Sequence, residues 1–230
     1  MYESPLEKLL RETRAREEAN NLARLASLLS RKKPQNPLAA FLSRTTEKER
    51  RKVFLPYYHG DEDEVNAFVS KWADQEKVFI PKALGISDED DFIYSDKPEY
   101  VMTQIRKKYL QDSTVTMVLI GSCTHSRRYV DWEIKTSLRQ GEGYTPNGLI
   151  GIVLPSQGNR AILPQRFKDN WNKELKNCYA RYYSAPNSAD QLRGWIEDAF
   201  NARLSRAKYI VNTSDMMKYN SVCKICDITH

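Results

Sequence analysis

The stretch from Thr114 to Leu138 constrains the fold more than any other part of this 230-residue chain. It opens with an unbroken β-branched and apolar run over 114–120. A run without polar alternation predicts a strand that is buried on both faces, as in a parallel sheet. Small polar residues at 121–126 then predict a turn and a helix cap. Beyond them, apolar residues recur every four positions, at Val130, Ile134 and Leu138. This spacing predicts a helix that packs on the sheet.

Glu133 lies beside this apolar stripe, near the start of the predicted helix and just above the carboxyl end of the buried strand. Ligands bind at that edge of open α/β sheets. A carboxylate there can contact a ligand, with Tyr129 and Trp132 as apolar walls. The spacing alone favours the simpler interpretation, in which Glu133 only complements the helix macrodipole.

The residues around this turn resemble the TIR-like domain of Thoeris anti-phage defence proteins of the ThsB type. The resemblance is carried by 116–121 and 129–134 and covers about residues 51–220. In TIR domains generally, a strand is followed by a Ser-containing loop and a helix with Trp-Val-x-x-Glu. The matching positions here are Ser122, Tyr129 in place of Trp, Val130 and Glu133. Enzymatic TIR domains use this glutamate to process NAD, so the resemblance implies that Glu133 is catalytic.

A second part of the resemblance lies at the first predicted strand, 52–56, and the loop that follows it. These residues are similar to the first TIR motif, Val-Phe-Ile-Ser-Tyr-x-His, with Pro56 in place of the serine. Proline is tolerated at a strand end, because its missing amide need not belong to the ladder. The resemblance implies a pocket for NAD with five substrate-binding residues: Tyr57, Tyr58, His59, Ser122 and Tyr129.

The chain as a whole alternates strands with helices over at least four units, which predicts a mainly parallel sheet covered on both faces. Further strands are predicted at 78–81, 149–155 and 180–183. Helices are predicted to begin at 61–64, at 96–98 and after Ser188, and a short helix is predicted to include Trp171. The segment 83–95 reads as a long acidic loop. The resemblance implies an α/β, flavodoxin-like TIR fold, with an N-terminal helical extension (1–50), a TIR-like domain (51–220) and a tail (221–230).

The N-terminal extension carries most of the positive charge. Residues 1–51 contain 12 Lys and Arg and seven Glu, so they contribute 12 − 7 = +5 of the net charge of +6. Ser4-Pro5-Leu6-Glu7 has the form of a capping box, and leucines recur at helical spacing to about residue 31. No aromatic residue lies between 4 and 31 for base stacking. Homo-oligomer formation or packing within the chain is therefore favoured over nucleic-acid binding.

Cysteine content and hydropathy indicate the cellular compartment in which the protein is expected. Four cysteines in a chain of this length do not predict a disulfide scaffold and fit a reducing cytoplasm. Cys223 and Cys226 form a Cys-x-x-Cys pair, but a tetrahedral zinc site needs about four ligands, so no metal is assigned. No apolar run approaches the roughly 20 residues of a membrane span, and no apolar signal sequence opens the chain. A cytoplasmic protein that does not contact the membrane is expected.

The function implied by the resemblance is cleavage of the nicotinamide–ribose bond of NAD, with transfer or cyclisation of ADP-ribose. NAD is then a substrate, and no cofactor is expected. In the Thoeris setting a phage-derived protein would trigger the enzyme, and a cyclic ADP-ribose-type signal would activate a separate effector. No phosphate-binding glycine motif and no Ser-His-Asp order points elsewhere. Two alternatives stay open: a non-catalytic TIR scaffold, and a flavodoxin-like nucleotide-binding module.

Overall fold

Five parallel strands form the central sheet in the computed structural model, which describes residues 49–84 and 97–229. They are β1 (Lys52–Leu55), β2 (Ile80–Leu84), β3 (Val115–Ile120), β4 (Gly148–Val153) and β5 (Arg181–Tyr183). Their order is β2-β1-β3-β4-β5, and each neighbouring pair is parallel. This is the strand order of flavodoxin-like folds, in which the direction of winding reverses between β1 and β3. The predicted fold class is confirmed.

Helices connect the strands. They are α1 (Glu62–Val69), α2 (Pro98–Ile105), α3 (Arg128–Ser137), α4 (Gln165–Asp169) and α5 (Ala189–Ser205). Wider π-helical turns continue α1 over Ser70–Gln75 and α2 over Arg106–Leu110. Short 3-10 segments lie at His59–Asp61, Thr124–Ser126, Pro155–Arg160 and Ala207–Tyr209.

The helices cover both faces of the sheet. Alternate residues of a strand point to opposite faces, and on β3 all six residues are buried. Met117 and Leu119 belong to a core cluster with apolar residues of α1 and α5. Val118 and Ile120 instead pack with α3 and α4, while Phe54 of β1 packs with α2 and α3. The site-bearing helix α3 is therefore held on one face by the strand that precedes it.

Most predicted elements agree with the structure within two residues. The second strand is an exception: it runs over Ile80–Leu84 rather than 78–81, and so includes the first two residues of the predicted loop. Its Pro81 is tolerated because β2 is an edge strand. The helix predicted around Trp171 is wrong, since α4 ends at Asp169. The N-terminal helix and the acidic loop from residue 85 onward lie outside the described residues.

The cap predicted within 121–126 does not form on α3. Hydroxyl groups of this segment bond within the loop instead: Ser126 Oγ donates to the Cys123 carbonyl at 2.8 Å, and Thr124 Oγ1 accepts the Gly121 N–H at 2.8 Å. The Arg128 N–H, at the start of α3, donates to Asn220 Oδ1 at 2.9 Å. Asn220, which is distant in sequence, therefore accepts the hydrogen bond at the start of α3 that a local capping side chain was expected to accept.

The C-terminal segment from Asn212 to Ser221 runs along α3. Trp132 Nε1 donates to the Met217 carbonyl at 2.8 Å, and Lys135 Nζ donates to the Ser214 carbonyl at 2.6 Å. The Ser221 N–H reaches the Ser126 carbonyl at 2.9 Å, in the loop before α3. These contacts fix the outer side of the helix that carries Glu133.

Candidate functional site

The loops that follow β1 and β3 meet at the carboxyl edge of the sheet. The Leu119 N–H donates to the Pro56 carbonyl at 2.9 Å, which continues the contact between the two strands beyond the end of β1. At Gly121 a Cβ atom would overlap the Asp61 carboxylate, so a larger residue there would force the Asp61 side chain to move. The two loops thus join at the switch between β1 and β3, where ligands bind in doubly wound folds.

Glu133 lies on α3 beside this edge and is only 1% exposed. The Ser137 hydroxyl donates to the Glu133 carbonyl at 2.8 Å and accepts a hydrogen bond from Thr116 Oγ1 of β3 at 2.7 Å. These bonds tie the turn of α3 that bears Glu133 to the central strand. The backbone position of the predicted catalytic residue is therefore set by buried polar contacts as well as by apolar packing.

Tyr57 is the predicted site residue that the structure relates most directly to Glu133. It is buried two residues beyond the end of β1. Burial raises the pKa of its phenol, and the negative charges of Glu62 and Glu133 raise it further. The Tyr57 ring also lies 5.1 Å from the His59 ring, measured between centroids. Tyr57 thus contacts the His59 ring and lies within range of the negative charge of Glu133.

Tyr58 and Ser122 lie on the two loops that meet at this edge. The guanidinium carbon of Arg127 lies 3.8 Å from the centre of the Tyr58 ring, a cation–π contact between the loops. Burial raises the pKa of Tyr58, although the nearby Arg127 acts against this shift. The Ser122 hydroxyl donates to the Cys123 sulfur at 3.7 Å.

Tyr129 has mainly a packing position. Its ring meets that of Trp132 edge-on, with centroids 5.2 Å apart, inside the core cluster that includes Phe54 and Ile105. Its hydroxyl accepts a hydrogen bond from Arg128 Nη2 at 3.0 Å. The contacts therefore explain Tyr129 as part of the core between α2 and α3, and its role in substrate binding stays a prediction.

Asp61 and Arg127 also belong to this edge, although the sequence analysis did not single them out as site residues. Burial, and then the charge of Glu64, raise the pKa of Asp61 from 3.8 to about 6, against the effect of the Ser122 amide and of Arg127. Arg127 is 4% exposed. The acidic run 61–64 predicts a helix start, which does not by itself mark Asp61 as a site residue. The sequence signal that could have identified both residues is their position, since Asp61 and Arg127 occupy the loops that follow β1 and β3.

A cluster of thiols borders the same loop. The sulfurs of Cys123, Cys223 and Cys226 all lie within 4.8 Å of one another, and among the residues that the structure describes they form the one such group able to hold a metal ion. The first cysteine follows β3, and the other two belong to the C-terminal tail. In the sequence only Cys223 and Cys226 are recognisable as a pair, because Cys123 lies 100 residues before Cys223.

Comparison with known proteins supports the motif assignment. Residues 54–159 match the model of the family described as Thoeris protein ThsB, TIR-like domain. No curated protein matched the chain. Over the described ranges, no helix has both the length and the apolar character needed to cross a membrane. The matched segment contains both loops of the site and Glu133, and it supports a role in anti-phage defence. Residues 54–159 of this chain are therefore similar to the TIR-like domain of the Thoeris protein ThsB.

Proposed function

We propose that this TIR-like domain cleaves the nicotinamide–ribose bond of NAD and converts the ADP-ribose part into a cyclic ADP-ribose-type signal. Glu133 is the catalytic residue. The residues that contact the substrate are Tyr57, Tyr58, His59, Ser122 and Tyr129. NAD is a substrate, so the reaction needs no further cofactor. A phage-derived protein triggers the activity, and the product activates a separate effector in the cytoplasm.

Cleavage of the nicotinamide–ribose bond is favoured by a negative charge beside the ribose. When nicotinamide departs, positive charge develops on the sugar, as in glycoside cleavage. A carboxylate fixed close to that sugar stabilises the charge, and it does so more strongly where water is excluded. Glu133 has the required group, and its exposure of 1% excludes most water from it.

The observation that carries the proposal is the burial of Glu133 at the switch between β1 and β3. A glutamate that served only the helix macrodipole would be expected in the first turn, because the effect decays beyond it. The acidic residue in the first turn of α3 is Asp131, whereas Glu133 is the sixth residue of the helix. Burial of a carboxylate costs free energy. A role in ligand binding at this edge of the sheet explains why a buried carboxylate is found there.

Turnover of NAD in infected cells tests the proposal. The chain is expressed in bacteria that are then infected with phage, and NAD, nicotinamide and cyclic products are quantified by mass spectrometry. Glu133→Gln keeps the size of the side chain but removes its charge, so NAD cleavage should fall about 100-fold or more. The matched control is Glu142→Gln, the same change in an exposed loop, which should keep full activity.

The outcomes separate the three function classes. Near-normal turnover by a folded Glu133→Gln protein would contradict the assigned role. Protection against phage by both Glu133→Gln and the unchanged chain, with no loss of NAD in either, would instead favour a scaffold that acts through assembly. Stoichiometric binding of NAD without cleavage in a triggered preparation would favour the binding module.

A further inference from the structure

Three sulfur atoms converge at the loop after β3. Cys123 Sγ lies 3.1 Å from Cys223 Sγ and 3.5 Å from Cys226 Sγ. Cys123 and Cys223 are 100 residues apart in the chain, so only the folded structure brings these groups together. Cys123 and Cys223 are buried, whereas Cys226 is exposed and gives the cluster access to solvent.

The spacing of the sulfurs fits a shared metal ion better than a disulfide bond. A zinc–sulfur bond is about 2.3 Å long, so tetrahedral geometry places two sulfur ligands about 3.8 Å apart. The two distances from Cys123 Sγ, 3.1 and 3.5 Å, are somewhat shorter than this value, and all three sulfurs lie within 4.8 Å of one another. A disulfide needs about 2.05 Å between two sulfurs and leaves the third without a function.

The Cys-x-x-Cys turn of the tail is an ordered structure with its own hydrogen bonds. The Cys223 N–H donates to the Ile228 carbonyl at 2.9 Å, and the Asp227 N–H donates to the Cys223 carbonyl at 2.8 Å. Asp227 closes the turn in the left-handed region, at φ 58°. The Ile225 N–H points at Cys223 Sγ, 3.4 Å away. An amide directed at this sulfur holds it in a fixed orientation, as outer-shell contacts do for metal ligands.

This turn is docked onto the loop that carries the third cysteine. The Ser221 N–H donates to the Ser126 carbonyl at 2.9 Å, just before the turn. The Lys224 N–H, within the turn, donates to His125 Nε2 at 3.1 Å. The backbone of both partners is therefore already held in place around the three sulfurs.

We propose that Cys123, Cys223 and Cys226 bind one Zn²⁺ ion through their thiolates. Binding forms three zinc–sulfur bonds and releases one proton from each thiol to solvent. The fourth position of the tetrahedron takes a water molecule, which reaches the ion from the exposed side of Cys226. The ion joins the loop of Ser122 to the C-terminal tail, and so fixes one border of the carboxyl edge of the sheet. This inference concerns metal binding and does not depend on NAD cleavage.

Metal titration of the full chain tests the site. Purified protein is reduced, stripped with a chelator and titrated with Zn²⁺ alone, and the bound metal is counted by elemental mass spectrometry after gel filtration. One equivalent per chain is expected. Co²⁺ in place of Zn²⁺ should give the near-ultraviolet charge-transfer absorption of cobalt–thiolate bonds.

Two serine variants make the test specific. Cys226→Ser removes an exposed thiol and should lower the affinity for Zn²⁺ more than about 100-fold, beyond what the loss of an outer-shell partner costs. The matched control is Cys178→Ser, which changes a buried thiol near Arg181 and outside the cluster. It should keep one equivalent of zinc.

A measurement on the unchanged chain covers the case in which a variant fails to fold. Zinc should protect Cys123, Cys223 and Cys226 from alkylation, as read by peptide mass spectrometry, and leave the alkylation of Cys178 unaltered. The inference is overturned if the reduced chain binds less than a tenth of an equivalent, or if Cys226→Ser keeps the full affinity. It is also overturned if anaerobically purified protein contains a disulfide among the three cysteines.

Discussion

The guanidinium group of Arg166 donates to both carboxylate oxygens of Asp131, at 2.8 and 3.2 Å, and both side chains are almost fully buried. Asp131 lies two residues before Glu133 on α3, and its Oδ2 also accepts the Met217 N–H at 2.9 Å. Arg166 Nη2 reaches the Asp215 carbonyl at 2.8 Å. The pair therefore holds α4 and the C-terminal segment against the helix that carries Glu133.

Removal of the arginine should destabilise the fold. Arg166→Met leaves the Asp131 carboxylate buried without its cation, so the free energy of unfolding should fall by about 3–5 kcal/mol. Urea denaturation followed by circular dichroism measures the change, and adding Asp131→Asn should recover part of the loss. The control is Arg193→Met, which removes a solvent-accessible pair between a partly buried Arg193 and an exposed Asp190 and should cost less than about 1 kcal/mol. Equal losses for Arg166→Met and Arg193→Met would contradict the prediction.

The fold and part of the site could be predicted because their signals are local. The apolar run 114–120 and the spacing of Val130 and Ile134 predicted β3 and α3, since periodicity depends only on neighbours in the chain. The loop residues could be placed together because parallel strands end at the same edge of the sheet. The pairs Asp61–Gly121, Arg166–Asp131 and Cys123–Cys223 could not be predicted in this way. They join residues from 35 to 100 positions apart, and only tertiary packing selects such partners.

The raised pKa of Asp61 should appear in the pH dependence of stability. In the folded protein this pKa is about 6, against 3.8 as its ordinary value. Between these values the folded state binds one proton more than the unfolded state, so the free energy of unfolding falls as the pH rises from about 4 to about 6. Asp61→Asn removes the charge. It should therefore stabilise the protein above pH 7, by about 1 kcal/mol after solvent screening, and give no gain near pH 4.

Urea denaturation of both proteins at several pH values from 4 to 8 measures this difference. Asp63→Asn, a change of an exposed acidic neighbour, serves as the control. A stabilisation by Asp61→Asn that is the same at pH 4 and pH 8 would show that titration of the carboxyl group is not its cause.

Substitutions in the loop after β1 should separate what each side chain contributes to substrate binding from what it contributes to stability. Tyr58 and His59 are only partly buried, so Tyr58→Ala and His59→Ala should lower kcat/KM for NAD about tenfold while the melting temperature changes little. Tyr57 is buried in the main core, and Tyr57→Ala should cost about 3–5 kcal/mol of stability. Turnover assays on triggered protein and thermal melts give both quantities. If Tyr58→Ala or His59→Ala mainly unfolds the protein, that residue is structural.

The N-terminal extension should control the assembly state. Its predicted helix lies outside the described residues, so the prediction depends on the capping box and the leucine stripe in the sequence. An isolated helix of this length is marginal without a surface to pack on, and each buried leucine contributes roughly 1.5–3 kcal/mol before entropy is deducted. Deletion of residues 1–45 should then leave a folded domain with a smaller mass per particle in light scattering.

Full-length variants test which face of the extension makes the contact. Leu22→Lys with Leu29→Lys interrupts the leucine stripe and should reproduce the effect of the deletion. Arg14→Gln with Arg16→Gln lowers the positive charge of the extension and should leave the mass per particle unchanged. If the deleted chain keeps the mass per particle of the full chain, corrected for the missing residues, the extension packs within its own chain or on another partner.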